Sequence, residues 1–327
     1  RTVATLVDEV FADAIVGRSP LEADGLADEV YAGEIGGYHF GREGFTQAAL
    51  TGVEVALWDL HGKLVGEPIH EILGGTSREQ VTPYASTMYV TEWGEDPVEP
   101  MEAAREEGFT AAKIKIGRGV EDDRHRVRTA REVLGDDAHI MVDYNGNYTP
   151  SQALSSIDAI EEFDITWVEE PVPPEDFAGY RELGQKVDIP LAAGEAHFGR
   201  FEFTRLIEEG IVDIVQPNLG RCGGFAEARY IARNATTKNV TVRPHVWNSG
   251  VGVAAALQFL ATVPDYPHAA ASSPEPVLFE FDRSENPLRS ELLTDPFDPT
   301  GGTLAVPESP GLGVEVDETA VERYRID

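Results

Sequence analysis

The chain has 327 residues and sets 58 aspartates and glutamates against 26 lysines and arginines, a formal charge of −32. So acidic a surface excludes a nucleic-acid partner, which needs a basic face, and no run approaches the roughly 20 apolar residues of a membrane helix. The 32 glycines and 21 prolines are ordinary for a folded chain, and the one cysteine, Cys222, has no internal disulfide partner, as expected of a cytoplasmic protein.

From Arg1 onward no secretory leader is legible. Residues 1–80 read as helical, with Ala49, Val53, Ala56, Leu57 and Leu60 forming a 3.6-type apolar stripe along Thr46–Val65. A Gly74–Gly75 break ends this part. Short apolar strands then alternate with amphipathic helices. The strands are Thr82–Ser86, Ala112–Ile116, His139–Asp143, Thr166–Glu169, Leu191–Gly194, Asp213–Gln216, Thr241–Pro244 and Val277–Phe281. Between them lie Glu99–Gly108, Val120–Leu134, Ser151–Phe163, Phe177–Val187, Phe201–Glu209, Gly224–Thr236 and Val251–Val263. Seven or eight strand–helix units at this spacing predict an α/β fold of the (β/α) barrel type over residues 81–285. Residues 286–327 are rich in Pro, Asp and Gly and are expected to return to the N-terminal segment. Only five of the cations are lysines and 21 are arginines. An acidic, lysine-poor balance is expected of a protein adapted to high salt, where carboxylates hold water and salt screens their repulsion.

Barrel active sites lie at the C-terminal strand ends. Those ends carry Lys113 and Lys115, Asp143 with Asn145, Glu169 and Glu170, Glu195, Gln216 with Asn218, His245, and Glu280. Asp143, Glu169 and Glu195 close three successive strands at a constant spacing of 26 residues. A solvated acidic rim is one reading of them. Glu169 and Glu195, however, directly follow apolar strands (ITWVEE, IPLAAGE), and three carboxylates that close repel unless a cation sits among them. An oxygen-only donor set favours a hard divalent ion, Mg²⁺.

In AAKIKIG, Lys113 and Lys115 alternate and so point to one side, into the barrel. Desolvation and crowding by a second cation are expected to lower one lysine towards a usable general base. His245 supplies a second acid/base from the next-to-last strand. His197, two residues past Glu195, is expected to touch substrate, as is Asn145.

Together these residues resemble the enolase superfamily, in its mandelate racemase subgroup. The match runs through VEVALWDLHGKLVGEPIHEILGG, AAKIKIG, MVDYN, WVEEP, AAGE and GLGVEVDE, in order along nearly the whole chain. The resemblance implies a modified TIM-type (β/α)7β barrel with an α+β capping domain (its helical part at 1–80), whose N-terminal sheet is missing from this stretch. It implies Mg²⁺ on Asp143, Glu169 and Glu195 holding a substrate carboxylate, and Lys115 as the base on one face. Lys113 would neutralise the carboxylate, His245 would be the acid/base opposite, and Glu280 (LFEFD) a hydrogen-bond donor to the enolate. Family members assemble as dimers to octamers.

Asn218, in QPNLGRCGG, stands where the family usually has an aspartate behind the histidine. The amide is expected to accept the imidazole N–H and leave His245 mainly an acid, with Asp213 too early in its strand to substitute. A sugar-acid dehydratase producing a 2-keto-3-deoxy acid follows, with a racemase or epimerase as the alternative. A non-catalytic barrel is disfavoured by the retained carboxylates and Lys-x-Lys pair. A hydrolase is disfavoured by the absence of a G-x-S-x-G elbow.

Overall fold

The computed structural model describes residues 1–327 except Glu34, Gly36, Thr76, 88–96, 268–274 and Asp327. The N-terminal part holds α1 (Thr2–Leu6) and α2 (Ala12–Ile15) joined by a π turn, α3 (Ala23–Ala32), α4 (Gly37–Phe40), the long α5 (Gly44–Val65) and α6 (Ile69–Ile72). Phe11, Leu26, Val30, Ala49, Leu50 and Val53 form its own apolar core.

Eight parallel strands follow, β1 (Gln80–Thr87), β2 (Ala111–Lys115), β3 (His139–Asp143), β4 (Ile165–Glu169), β5 (Leu191–Ala193), β6 (Ile214–Val215), β7 (Thr241–Val242) and β8 (Leu278–Asp282). Between them run α7 (Val98–Glu106), α8 (Val120–Leu134), α9 (Pro150–Ile160), α10 (Phe177–Gly184), α11 (Gly199–Glu208), α12 (Gly224–Thr237) and α13 (Gly250–Thr262). The strand order is β7-β6-β5-β4-β3-β2-β1-β8. The segment after β7 meets β8 where the backbone N–H of Val246 donates to Glu280 Oε2 (2.7 Å), so the sheet curls into a barrel. The later strands are shorter than the sequence predicts. Gly194 takes a left-handed φ of +145° just after β5, and the N–H-less Pro217 and Pro244 stop β6 and β7 from extending.

The period-2 alternation of strands sorts the barrel into layers. Tyr84, Ala111, Met141, Trp167, Ala192, Ile214 and Leu278 fill the interior as an apolar plug. Two residues further on, on the same faces, stand Lys113, Asp143, Glu169 and Glu280, all buried. Ala112, Ile114, Val142 and Val168 face the helices in the main core. Seven residues seal the floor so that ionisable groups can crowd above it.

On α5 the structure departs from the predicted stripe. Ala49 and Val53 are buried and Leu57 is half-buried, but Ala56 and Leu60 face outward. The buried side instead carries Gln47, Thr51, Glu54 and Trp58, because the helix lies against backbone polar groups of the barrel as well as against apolar side chains.

After β8, α14 (Pro287–Ser290), β9 (Leu304–Ala305) and α15 (Glu318–Tyr324) complete the chain. β9 pairs antiparallel with the start of β1. Leu312 N bonds Asp59 Oδ1 (2.8 Å) on α5, and Gly311 packs so closely on Gly62 that a Cβ there would lie 2.5 Å from Gly311 Cα.

Candidate active site

Parallel register sets Lys115 beside Asp143 and Asp143 beside Glu169 at one height. One ligand oxygen from each of Asp143, Glu169 and Glu195 lies within 4.8 Å of the others. Lys113 Nζ enters this group from below, 2.6 Å from Glu169 Oε1, 2.9 Å from Glu280 Oε1 and 3.6 Å from Asp143 Oδ2. Lys115 Nζ donates directly to Asp143 Oδ2. Glu169 Oε2 accepts from Gln216 Nε2 (2.7 Å) and Trp167 Nε1 (3.2 Å), and Asp143 Oδ1 accepts from Asn145 N (2.8 Å).

Burial opposes charge on Lys113, Lys115, Asp143 and Glu169, and neighbours decide the outcome. Burial alone would lower Lys113, yet Glu169 and Glu280 hold its ammonium well above the ordinary lysine value. Lys115 is likewise lowered by burial but held up, on balance, by Asp143. The expected depression of one lysine is not seen in the cluster of protein groups alone, because at each ammonium the neighbouring carboxylates outweigh the other lysine. Burial also raises Asp143, but Lys115 and Lys113 bring it below its usual range. Glu169 is pushed up to about 8 by burial and by the surrounding carboxylates, against the pull of Lys113.

Such a cluster holds a net deficit of positive charge in a dry site. Among the described residues, Glu195 Oε2 and Glu170 Oε1 are buried with no hydrogen-bond partner. Glu170, at a left-handed φ of +40°, is raised well above a normal glutamate by burial and by the charges of Glu195 and Asp143. Orphaned carboxylate oxygens beside three converging carboxylates are what an oxygen-liganded cation satisfies, so the residues fit a metal ion.

His245 reaches the group just past β7, against Glu195 and Glu280, whereas Lys115 stands against Asp143. Its Nε2 lies 3.2 Å from Glu195 Oε2, too poorly aligned for a hydrogen bond, and 3.8 Å from Glu280 Oε2. Behind it, Asn218 Nδ2 stands 2.7 Å from Nδ1. The backbone N–H of Gly220 donates to Asn218 Oδ1 (2.7 Å), as does Asn248 Nδ2 (3.1 Å). A backbone donor fixes the amide's orientation, so its NH₂ points at the ring. The amide therefore turns its NH₂ and not its oxygen toward His245, the reverse of the expectation, an arrangement that matches a ring with its proton on Nε2.

Two further residues named in the sequence have partners of their own. Glu280 accepts on both oxygens, from Lys113 and Val246 N. Burial raises it, but Lys113 brings it below the ordinary range, so here it is a carboxylate that holds Lys113. His197 points Nε2 at Pro174 O (3.2 Å) and sets its ring edge-on between Phe177 and Phe203. Its contacts are with the layer between strand and helices, because Phe177 and Phe203 close round it. Asn145 is half-buried at a left-handed φ of +44° beside Asp143. Asp213, at the opposite end of β6, bonds Leu191 N. Gln216, noted in the sequence without a role, is the neutral donor that keeps Glu169 oriented; only its place at a strand end marked it.

A (β/α) barrel whose carboxylate trio fits a cation, with a lysine and an imidazole beside it, defines an acid–base enzyme of the enolase type. The chain belongs to the mandelate racemase/muconate lactonizing enzyme family. The family's N-terminal domain matches residues 1–74, and the enolase C-terminal domain-like family matches residues 86–320. The chain is 40% identical over 289 residues to D-galactarolactone cycloisomerase of Agrobacterium fabrum, covering 88% of this chain and 76% of that protein. It is 31% identical over 308 residues to arabinonate dehydratase of Saccharolobus solfataricus, covering 92% and 77%. The crystal structure of 3,6-anhydro-D-galactonate cycloisomerase from Zobellia galactanivorans superposes with a TM-score of 0.89 at 34% identity, over 100% of this chain and 88% of that one. Among the described residues no helix is long and apolar enough to cross a membrane.

Proposed function

We propose that the protein is a Mg²⁺-dependent acid-sugar dehydratase that converts an aldonate into a 2-keto-3-deoxy acid. The observation that carries this reading is the Asn218–His245 contact, which leaves a protonated Nε2 facing Glu195 while Lys115 stands apart at Asp143. Elimination needs one base and one acid. Racemisation needs two bases, and an imidazole whose Nδ1 already accepts a hydrogen bond is poorly placed as the second.

Asp143, Glu169 and Glu195 would hold the ion, which when bound supplies positive charge to offset the negative charge growing on the substrate's carboxylate oxygens. With Asp143 engaged as a ligand, Lys115 loses the partner that holds its proton. Its free amine takes the C2 proton, and the electron pair moves into the carboxylate. Lys113 holds Glu169 and Glu280 in place and adds positive charge beneath the site. The electron pair then returns to form the C2–C3 double bond and expels the C3 hydroxyl. That oxygen takes the Nε2 proton of His245 and leaves as water, the ring passing through an imidazolate that the amide N–H of Asn218 steadies, and the enol tautomerises to the ketone. Solvent reprotonates His245 and deprotonates Lys115.

The relative named arabinonate dehydratase supports the substrate class. A second reading is favoured by the cycloisomerase at 40% identity. There the expelled oxygen belongs to a ring, the same two residues act, and no water is released. The test is incubation with Mg²⁺ and a panel of aldonates, galactarolactone and 3,6-anhydrogalactonate, scoring 2-keto-3-deoxy product. Turnover of an open-chain acid supports the dehydratase, turnover of cyclic acids alone supports the second reading, and conversion of none retires both. Assembly into a homo-oligomer, as the family does, is checked on the same sample by light scattering.

A further inference from the structure

The buried polar row on α5 is not used by the chemistry, yet it sits at the back of the site. Gln47, Thr51 and Glu54 are essentially inaccessible, and their spacing of four and three residues stacks them on one helix face. A helix that packs on a barrel ordinarily presents an apolar stripe. Burying an amide, a hydroxyl and a carboxylate is costly unless each finds a partner. Gln47 through its Nε2, Thr51 through its hydroxyl and Glu54 through both oxygens find partners in the backbone of a single stretch, Cys222–Ala226.

Gln47 Nε2 donates to Cys222 O (3.2 Å), and Gly223 N donates to Thr51 Oγ1 (2.8 Å). Glu54 accepts from Phe225 N and Ala226 N (2.8 Å each), and Trp58 Nε1 steadies it (2.8 Å). These N–H groups open α12, whose N-cap is Gly223 and makes no side-chain cap of its own. The cap for this helix is supplied by α5. The Gly-Gly of QPNLGRCGG follows from the close approach. Both glycines have left-handed φ, +117° and +80°. A Cβ on Gly223 would fall 2.2 Å from Gln47 Nε2, and one on Gly224 would fall 2.0 Å from Glu54 Oε2.

The fastened stretch leads straight to the acid. Arg221 N and Cys222 N bond Asn218 O (2.9 and 2.8 Å), and Gly220 N bonds Asn218 Oδ1 (2.7 Å). The turn is closed on itself at Asn218 and tied at its far end to α5. We infer that Gln47, Thr51 and Glu54 form a clamp that positions Asn218, so that the N-terminal helical part sets the tautomer of His245. These are positioning residues. The inference rests on His245 being the acid of the proposed reaction.

The test uses the full-length protein with Thr51→Val, which removes the hydroxyl at nearly constant shape, and Thr51→Ser, which keeps it. Gln47→Leu is the second variant if Thr51→Val does not fold. Two readouts are taken: the ring ¹⁵N signals of His245, assigned among the eight histidines by a His245→Gln control, and the ratio of product formation to exchange of the substrate C2 proton with deuterated solvent. The expected result is a His245 signal moved away from the Nε2–H pattern and a product-to-exchange ratio lowered about three- to tenfold in Thr51→Val, both restored in Thr51→Ser. Loss of exchange and product in equal measure, with His245 unmoved, would mean a merely structural role and overturns the clamp. Asn218→Ala separates the two levels. If it changes both readouts and the α5 variants change neither, the clamp is wrong and the acid stands. If Asn218→Ala itself changes neither, the reading of His245 is what fails.

Discussion

Asn218 gives a hydrogen bond to His245 where an aspartate would take one: Nδ2 lies 2.7 Å from Nδ1, with Oδ1 already engaged by the N–H of Gly220. Asn218→Asp puts an acceptor against Nδ1, so the ring must donate there and present a bare Nε2 to the substrate. The expected outcome is a shift from acid to base. Product formation falls by about 10- to 100-fold, within the usual contribution of one acid–base group, while C2-proton exchange into solvent persists or rises. Parallel measurement of deuterium incorporation and ketone release checks it. Unchanged partitioning in Asn218→Asp would remove the argument for elimination over racemisation.

The carboxylate trio links metal, pH and stability. Without an ion, Glu169 is raised from the ordinary 4.5 to about 8 by burial among carboxylates. A folded value above the unfolded one means that the stabilisation is complete below about 4.5 and is lost as pH rises through about 8. An ion prefers the ionised carboxylate, so its effect runs the other way. Thermal melts with and without Mg²⁺ should therefore diverge progressively as pH is raised across that window. Glu195→Gln should abolish the divergence and the metal dependence of turnover together. Melts that stay parallel at every pH would count against an ion at this site.

The two lysines stand one strand repeat apart but do different work, and their substitutions should separate. Lys113 is wholly enclosed by Glu169, Glu280 and Asp143. Lys113→Met leaves carboxylates without their cation and should cost about 3–5 kcal/mol of stability, as breaking a buried pair usually does, seen as a lower urea midpoint. Lys115 contacts Asp143, and Lys113 still stands 3.6 Å from that carboxylate. Lys115→Ala should thus stay folded while losing about 10²–10⁴ in kcat, the range of a general base. Circular dichroism and a turnover assay on the two variants decide the matter. An active Lys115→Ala would end its role as base.

The barrel was legible in the sequence because each strand–helix unit repeats the same pattern, a buried apolar strand ending in a polar group. The helix over Val120–Leu134 and the strand over His139–Asp143 fall where the pattern puts them. Lys113 and Lys115 could be paired from alternation alone. Hydrogen-bond direction was not legible: whether Asn218 gives or takes depends on Gly220 N, and backbone geometry leaves no mark on composition. The lysine charges misled for a related reason, since sequence spacing shows that Asp143 and Glu169 are near but not that they touch the ammoniums. On α5, counting apolar residues found Ala49 and Val53 but passed over Gln47, Thr51 and Glu54, whose partners lie some 170 to 175 residues away along the chain. Polar residues at helical spacing beside a Gly-Gly elsewhere were the only trace.

The net charge of −32 carries the last expectation. Like charges at this density repel over a Debye length, which shrinks from about 10 Å at 0.1 M salt to about 3 Å at 1 M. Salt also weakens the surface ion pairs, Arg205–Glu209 and Lys186–Glu182 among them, so two effects of opposite sign compete. Exposed pairs are individually worth about 1 kcal/mol or less. The 58 acidic side chains outnumber the 26 basic ones more than twofold, so many carboxylates have repulsion to lose and no pair to forfeit. Repulsion should win, and the unfolding temperature should climb by several degrees between low salt and molar KCl. The gain should saturate once the screening length falls below the spacing between charges. Sodium and potassium chloride should act alike, because screening depends on ionic strength and not on the ion. A melting temperature that stays flat or falls with salt would mean that the acidic surface is already balanced locally, and that the lysine-poor composition has no bearing on the salinity at which the protein works.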